Sequence, residues 1–244
     1  MRPRIKICCI QSVDEARMAV RRGASALGLV SAMPSGPGPI PEERIAEIAA
    51  TVPPGVTSVL LTSSRDAEEV IAQQRRCGVN AVQLVDDLER GSWADLRRAL
   101  PGVAVLQVLH VTGEEVVPRA LAAAPHVDAL LLDSGNPGLT VKELGGTGRR
   151  HDWAVSRRIV EAVNVPVWLA GGLRPGNAAE ARARVAPFGL DVCTGVRTDG
   201  ALDEAKLRSF VAAALGRRLT PPGGRGGACG CRRTRRRSRR RSSS

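Results

Sequence analysis

The sequence predicts an α/β protein, a (β/α)8 TIM barrel of near-minimal size with a disordered basic C-terminal tail. Two observations predict it. Eight short apolar runs recur along the chain, and amphipathic stretches with helix-start signals lie between them. Eight such units in about 215 residues match a closed barrel. The chain then divides into a barrel over residues 1–216 and a tail over residues 217–244.

The apolar runs fall at residues 5–9, 26–30, 56–61, 81–84, 103–108, 129–132, 167–170 and 190–193, and each reads as a buried strand. After the first, Ser12-Val-Asp-Glu15 is a capping box that starts a helix. After the second, Pro41-Glu-Glu43 places a proline and two acids in a first turn. Ser92 opens a helix after the fourth run, Pro175 opens one after the seventh, and an amphipathic stretch over 203–215 follows the eighth. An open doubly wound sheet would want a glycine-rich phosphate loop after its first strand, and Cys8-Cys9-Ile-Gln-Ser12 holds no glycine.

Composition excludes some classes of function. Aromatic residues make up 2% of the chain, too few for a protein that reads single strands by base stacking. The formal charge of +12 is unevenly spread: residues 217–244 hold eleven arginines and no acid, so only +1 belongs to residues 1–216. The tail is built mainly from Pro, Gly, Arg and Ser, which cannot form a core, and its arginines could contact nucleic acid nonspecifically. Its Cys229-Gly-Cys231 lacks the further ligands of a metal site. Cys8, Cys9, Cys77 and Cys193 complete the cysteines, and reduced thiols in a cytoplasmic protein are the simplest expectation. No signal peptide or membrane span is expected.

In a barrel, chemistry sits where the strands end. Asp133 closes the run Asp128-Ala-Leu-Leu-Leu-Asp133, where desolvation would raise its pKa toward a general acid's; a turn or capping role fits the spacing as well. Cys8 could be a general base if Lys6 stabilised its thiolate, although a buried cysteine is more often an inert small hydrophobe. Gly171-Gly172 after strand seven and Thr194-Gly195 after strand eight together suggest a phosphate site built from backbone N–H groups. Leu144-Gly-Gly-Thr-Gly148 lies in a long loop that could close over a ligand.

Six motifs in order carry a resemblance: Lys6-Ile-Cys8; Gln83-Leu84; Leu132-Asp133-Ser134; Gly145-Gly-Thr-Gly148 with Asp152-Trp153; Leu169-Ala-Gly-Gly-Leu173 with Asn177; and Asp191-Val192 with Gly195-Val196. From residue 5 to about 215 the chain resembles the phosphoribosylanthranilate isomerases of tryptophan biosynthesis. The resemblance implies a cofactor-free, metal-free Amadori rearrangement of a small phosphorylated sugar substrate, by a monomer or homodimer. Asp133 would be the general acid and Cys8 the general base, with phosphate on Gly172, Gly195 and the neighbouring Gly171. Gln83 and Gly146 would be further substrate contacts.

The chain also departs from the family pattern. Cys9 stands where Lys-Ile-Cys-Gly has its glycine, and Gln-Leu-His-Gly reads Gln83-Leu-Val-Asp86. The arginine of Ser-Pro-Arg, which holds the anthranilate carboxylate, reads Gly38. Ser-Gly-Val-Glu reads Thr194-Gly-Val-Arg197. Restoring arginine at 38 is expected to lower KM, unless Arg174 or Arg197 already takes the missing arginine's place and the two cations repel. The competing expectations are an isomerase for another phosphorylated aminosugar and a non-catalytic barrel with a nucleic-acid-binding tail.

Overall fold

The computed structural model describes residues 2–135 and 150–217. Residues 136–149, with Gly146 and the rest of the expected glycine loop, and residues 218–244, with nearly all of the expected tail, lie outside the described residues. Eight parallel strands close into a barrel in sequence order: β1 (Arg4–Ile7), β2 (Ala26–Val30), β3 (Thr57–Thr62), β4 (Ala81–Leu84), β5 (Ala104–His110), β6 (Ala129–Asp133), β7 (Val167–Leu169) and β8 (Gly189–Val192). The seam is β1 against β8, with Lys6 opposite Asp191 and Ile7 opposite Val192.

Each strand is followed by a helix: α1 (Val13–Arg21), α2 (Glu42–Ala49), α3 (Ala67–Cys77), α4 (Trp93–Ala99), α5 (Val116–Ala123), α6 (Trp153–Ala162), α7 (Ala178–Val185) and α8 (Glu204–Leu215). Ser12, Asp66, Ser92, Asp152 and Asp203 cap α1, α3, α4, α6 and α8 by accepting backbone N–H bonds, satisfying donors the first turn leaves free. Two expected starts shift. Pro41 is the residue before α2 rather than its first, and α7 begins at Ala178 behind Asn177, three residues beyond the start expected at Pro175.

Successive residues along each strand face opposite ways, which divides the buried residues into two layers. Outward residues such as Leu27, Leu60, Val82, Leu130 and Leu190 pack beneath the helices. Inward residues such as Ala26, Val59, Ala81, Leu106, Ala129, Leu131 and Trp168 fill the barrel. Among the described residues, no helix is long and apolar enough to cross a membrane.

Candidate active site

Cys8 and Cys9 follow β1 directly, and the chain separates their roles at that point. Cys8 is buried with a free thiol and continues the inward row. Cys9 takes φ +62, a left-handed conformation that a non-glycine residue rarely adopts, and is disulfide-bonded to Cys193, just after β8. Their Cα atoms are 5.9 Å apart, within the usual disulfide span. This corrects the expectation that the cysteines are all reduced: 184 residues of sequence separate two thiols that the barrel seam brings together.

Cys8, Gln83, Asp133 and Asp191 line one cavity at the carboxyl end of the barrel, together with Gly171, Gly172 and Thr194. Beneath it Lys6, fully buried, holds Asp191 through a 2.8 Å ion pair. Burial alone would lower the Lys6 ammonium, but Asp191, with Cys8 and Asp133 nearby, overrides it and keeps the amine charged. Gly28 makes room for this arrangement: a Cβ there would stand 2.9 Å from Cys8 Sγ and 3.1 Å from Lys6 Nζ.

Burial raises the Asp133 carboxyl above its ordinary range, and the Ser134 N–H, donating to Oδ1 at 2.7 Å, only partly opposes it. That is the direction expected of a general acid. Cys8 differs from expectation. Burial pushes its thiol up to about 11, with Lys6 opposing but not prevailing because its charge is already committed to Asp191. At neutral pH the resting enzyme therefore holds a thiol at Cys8 rather than the thiolate expected beside Lys6.

The β7 and β8 loops abut at the cavity edge. Gly171 and Gly172 take φ +80 and +61. A Cβ on Gly171 would come within 2.8 Å of Ser134 Oγ and 3.0 Å of His151 Nδ1. Asn177 holds this loop, accepting from the Arg174 N–H at 2.8 Å and donating to the Gly172 carbonyl at 2.9 Å. Gly195 lies against the Leu173 carbonyl, where no side chain fits.

A sequence model of the N-(5'-phosphoribosyl)anthranilate isomerases matches residues 5–213. The isomerase 2 of Methanosarcina mazei is 38% identical over 85% of this chain and 92% of that protein. The isomerase of Haloferax volcanii is 37% identical over 86% and 92%. The chain belongs to this isomerase family. Among solved structures, phosphoribosylanthranilate isomerase from Thermotoga maritima superposes with a TM-score of 0.74 at 29% identity, covering 88% of this chain and 99% of that one. An isomerase solved with reduced 1-(o-carboxyphenylamino)-1-deoxyribulose 5-phosphate superposes with a TM-score of 0.71 at 27% identity, over 88% and 99%. A related Thermotoga maritima structure describes monomers generated from a dimeric isomerase.

Within this isomerase fold the arginine expectation fails for Arg197. Its guanidinium is buried, donating to Glu15 at 3.0 and 2.9 Å, to the Gly200 carbonyl at 2.6 Å and to the Cys9 carbonyl, so it ties α1 to the β8 loop and lines no part of the cavity. Arg174 is exposed on the β7 loop, also off the cavity wall. Among the described residues no arginine or lysine side chain lines the cavity.

Gln83 is placed as expected, 3% exposed at the cavity, with Oε1 lacking a hydrogen-bond partner. Sequence reasoning missed His110. It ends β5 beside Asp133, is 6% exposed, and its Nε2 lies 3.0 Å from the Val85 carbonyl. A polar residue two places beyond the apolar run at 103–108 reads as loop, yet its even spacing from Leu106 and Val108 already put it on the inward row.

Proposed function

We propose that this chain catalyses the isomerisation of N-(5'-phosphoribosyl)anthranilate to 1-(o-carboxyphenylamino)-1-deoxyribulose 5-phosphate, the step of this family in tryptophan biosynthesis. The observation that carries the reading is one cavity holding a carboxyl raised by burial, Asp133, and an unpaired thiol, Cys8, beside two glycine-bearing loops.

Asp133 donates its proton to the furanose ring oxygen as the C1–O bond breaks, and the nitrogen lone pair forms the C=N bond of a protonated Schiff base. Cys8, as thiolate, removes the proton from C2. The C–H pair becomes the C1=C2 bond of an enolamine, and the C=N pair returns to nitrogen. Protonation at C1 and loss of the C2 hydroxyl proton then give the ketone. The productive pair is thiolate with carboxylic acid, and its thiolate member is the minor form at neutral pH because burial raises the Cys8 thiol to about 11. Backbone N–H groups around Gly172 and Gly195 bind the phosphate, and Gln83 Oε1 accepts a hydrogen bond from the substrate.

The test is a fluorescence assay with freshly prepared N-(5'-phosphoribosyl)anthranilate. Enzyme-dependent loss of substrate fluorescence is expected. Folded protein that leaves the signal unchanged would exclude this substrate and favour another phosphorylated aminosugar, a choice made pertinent by Gly38 and the absence of a cationic side chain among the described lining residues.

A further inference from the structure

His110 and Asp133 are register partners at the ends of β5 and β6. Their side chains continue the inward rows that run through Leu106 and Val108 on one strand and Ala129 and Leu131 on the other. Side chains of register partners on adjacent strands stand side by side, with the strands about 4.8 Å apart. Asp133 lines the cavity and His110 does not.

The bond to Val85 puts a proton on His110 Nε2. The Val85 carbonyl only accepts, so the His110 nitrogen 3.0 Å from it, Nε2, carries a proton and donates. In the neutral ring Nδ1 is then an acceptor, and it is buried with no partner. On the other side, Asp133 Oδ1 is taken by the Ser134 N–H, which leaves Oδ2 to carry the acid proton. A buried acceptor without a donor is costly, and the neighbouring carboxyl is a donor whenever it is protonated.

The geometry points to His110 as a positioning residue for Asp133: its Nδ1 accepts a hydrogen bond from the protonated carboxyl, holding the proton on Oδ2 and favouring the acid form. This deepens the proposed isomerisation and rests on that reading for its kinetic part. Among the described residues, the other charged or titratable groups acting on Asp133 are Lys6 and Cys8 from β1 and Asp191 from β8. On the β4 side, Asp86 is paired with Arg65 at 3.5 Å. A protonated His110 would act oppositely, as a cation lowering Asp133.

The sign of the effect is measurable. When the acid titrates below the base, the acid limb of kcat/KM reports the acid, and the plateau falls by the factor that separates the two pKa values further. His110→Leu removes the acceptor, so the acid limb should move about one pH unit lower and the plateau should drop about tenfold. His110→Asn, which keeps an acceptor oxygen near Nδ1, should return both toward the parent. Infrared titration of the carboxyl band, assigned by its loss in Asp133→Asn, should show the same downward shift in His110→Leu without any substrate. The infrared result separates this inference from the function: an inactive parent with the shift present would refute the proposed substrate and leave His110's role standing. Unchanged Asp133 titration in folded His110→Leu, or a shift upward, would overturn the inference. Should His110→Leu fail to fold, the comparison of His110→Asn with His110→Gln carries the same test, with the shift expected only for glutamine.

Discussion

Cys9 occupies the space that a side chain at position 38 would need: a Cβ built on Gly38 stands 2.6 Å from Cys9 Cβ, and Gly38 itself holds φ +88. The two departures from the family pattern, cysteine for glycine at 9 and glycine for arginine at 38, are therefore one steric exchange.

Gly38→Arg alone is accordingly expected to destabilise the protein, by roughly 1–3 kcal/mol for the overpacking, and not to lower KM. This reverses the expectation drawn from sequence. Adding Cys9→Gly should recover part of the loss, so denaturant titration of the two single variants and the double should show coupling rather than additivity. Additive effects would mean that the two positions do not compete for space.

Cys8→Ala and Asp133→Asn should each lower turnover by about 10²- to 10⁴-fold while circular dichroism stays that of the parent. Cys9→Ala should leave the chemical step largely intact, since its sulfur is bonded to Cys193. A crippled Cys9→Ala with a healthy Cys8→Ala would assign the base to the wrong residue.

The Cys8 thiol also predicts a pH dependence of stability. Its folded pKa, about 11, lies above the ordinary thiol value, so the folded state binds the proton more tightly than the unfolded chain does. That stability is complete below about pH 9 and is lost as pH rises toward 11. Melting temperature should fall across this window, and less steeply in Cys8→Ala. Equal slopes in the two proteins would show that Cys8 does not titrate as its burial implies.

Arg197→Met should cost about 1–3 kcal/mol of stability, because it leaves the Glu15 carboxylate with only its backbone donors at Gln11 and Leu202. Glu15 is itself held below its usual range: burial raises it, but the bonds from Arg197, Leu202 and Gln11 prevail. Chemical denaturation measures the loss, and KM of the folded fraction should change little. A large KM increase with unchanged stability would restore Arg197 as a substrate ligand.

The barrel was legible because each strand is a continuous buried run: β2 and β4 begin and end at the residues expected, and the other strand ends lie within two residues. Cys8, Asp133, Gln83 and the β7 glycines were legible because a strand's end fixes which residues meet at the mouth. What was not legible depends on partners remote in sequence. Arg197 and Glu15 are 182 residues apart, and a charge in a sequence does not reveal whether a counter-ion has already claimed it. Cys9 had several possible partners, and only the closed seam selects Cys193. The raised Cys8 thiol was not legible because burial, its main cause, comes from the closed barrel around it, while Lys6, its neighbour in sequence, pairs with Asp191.

The Cys9–Cys193 bridge joins the first and last units of the barrel, so the intervening chain becomes a covalent ring. A protease that severs one peptide bond anywhere between those residues cannot release a fragment. A singly nicked molecule should keep its full mass on a non-reducing gel and separate into two pieces only after a thiol reductant is added. The ring thus gives the barrel tolerance to a broken backbone that none of its hydrogen-bonded strands could supply.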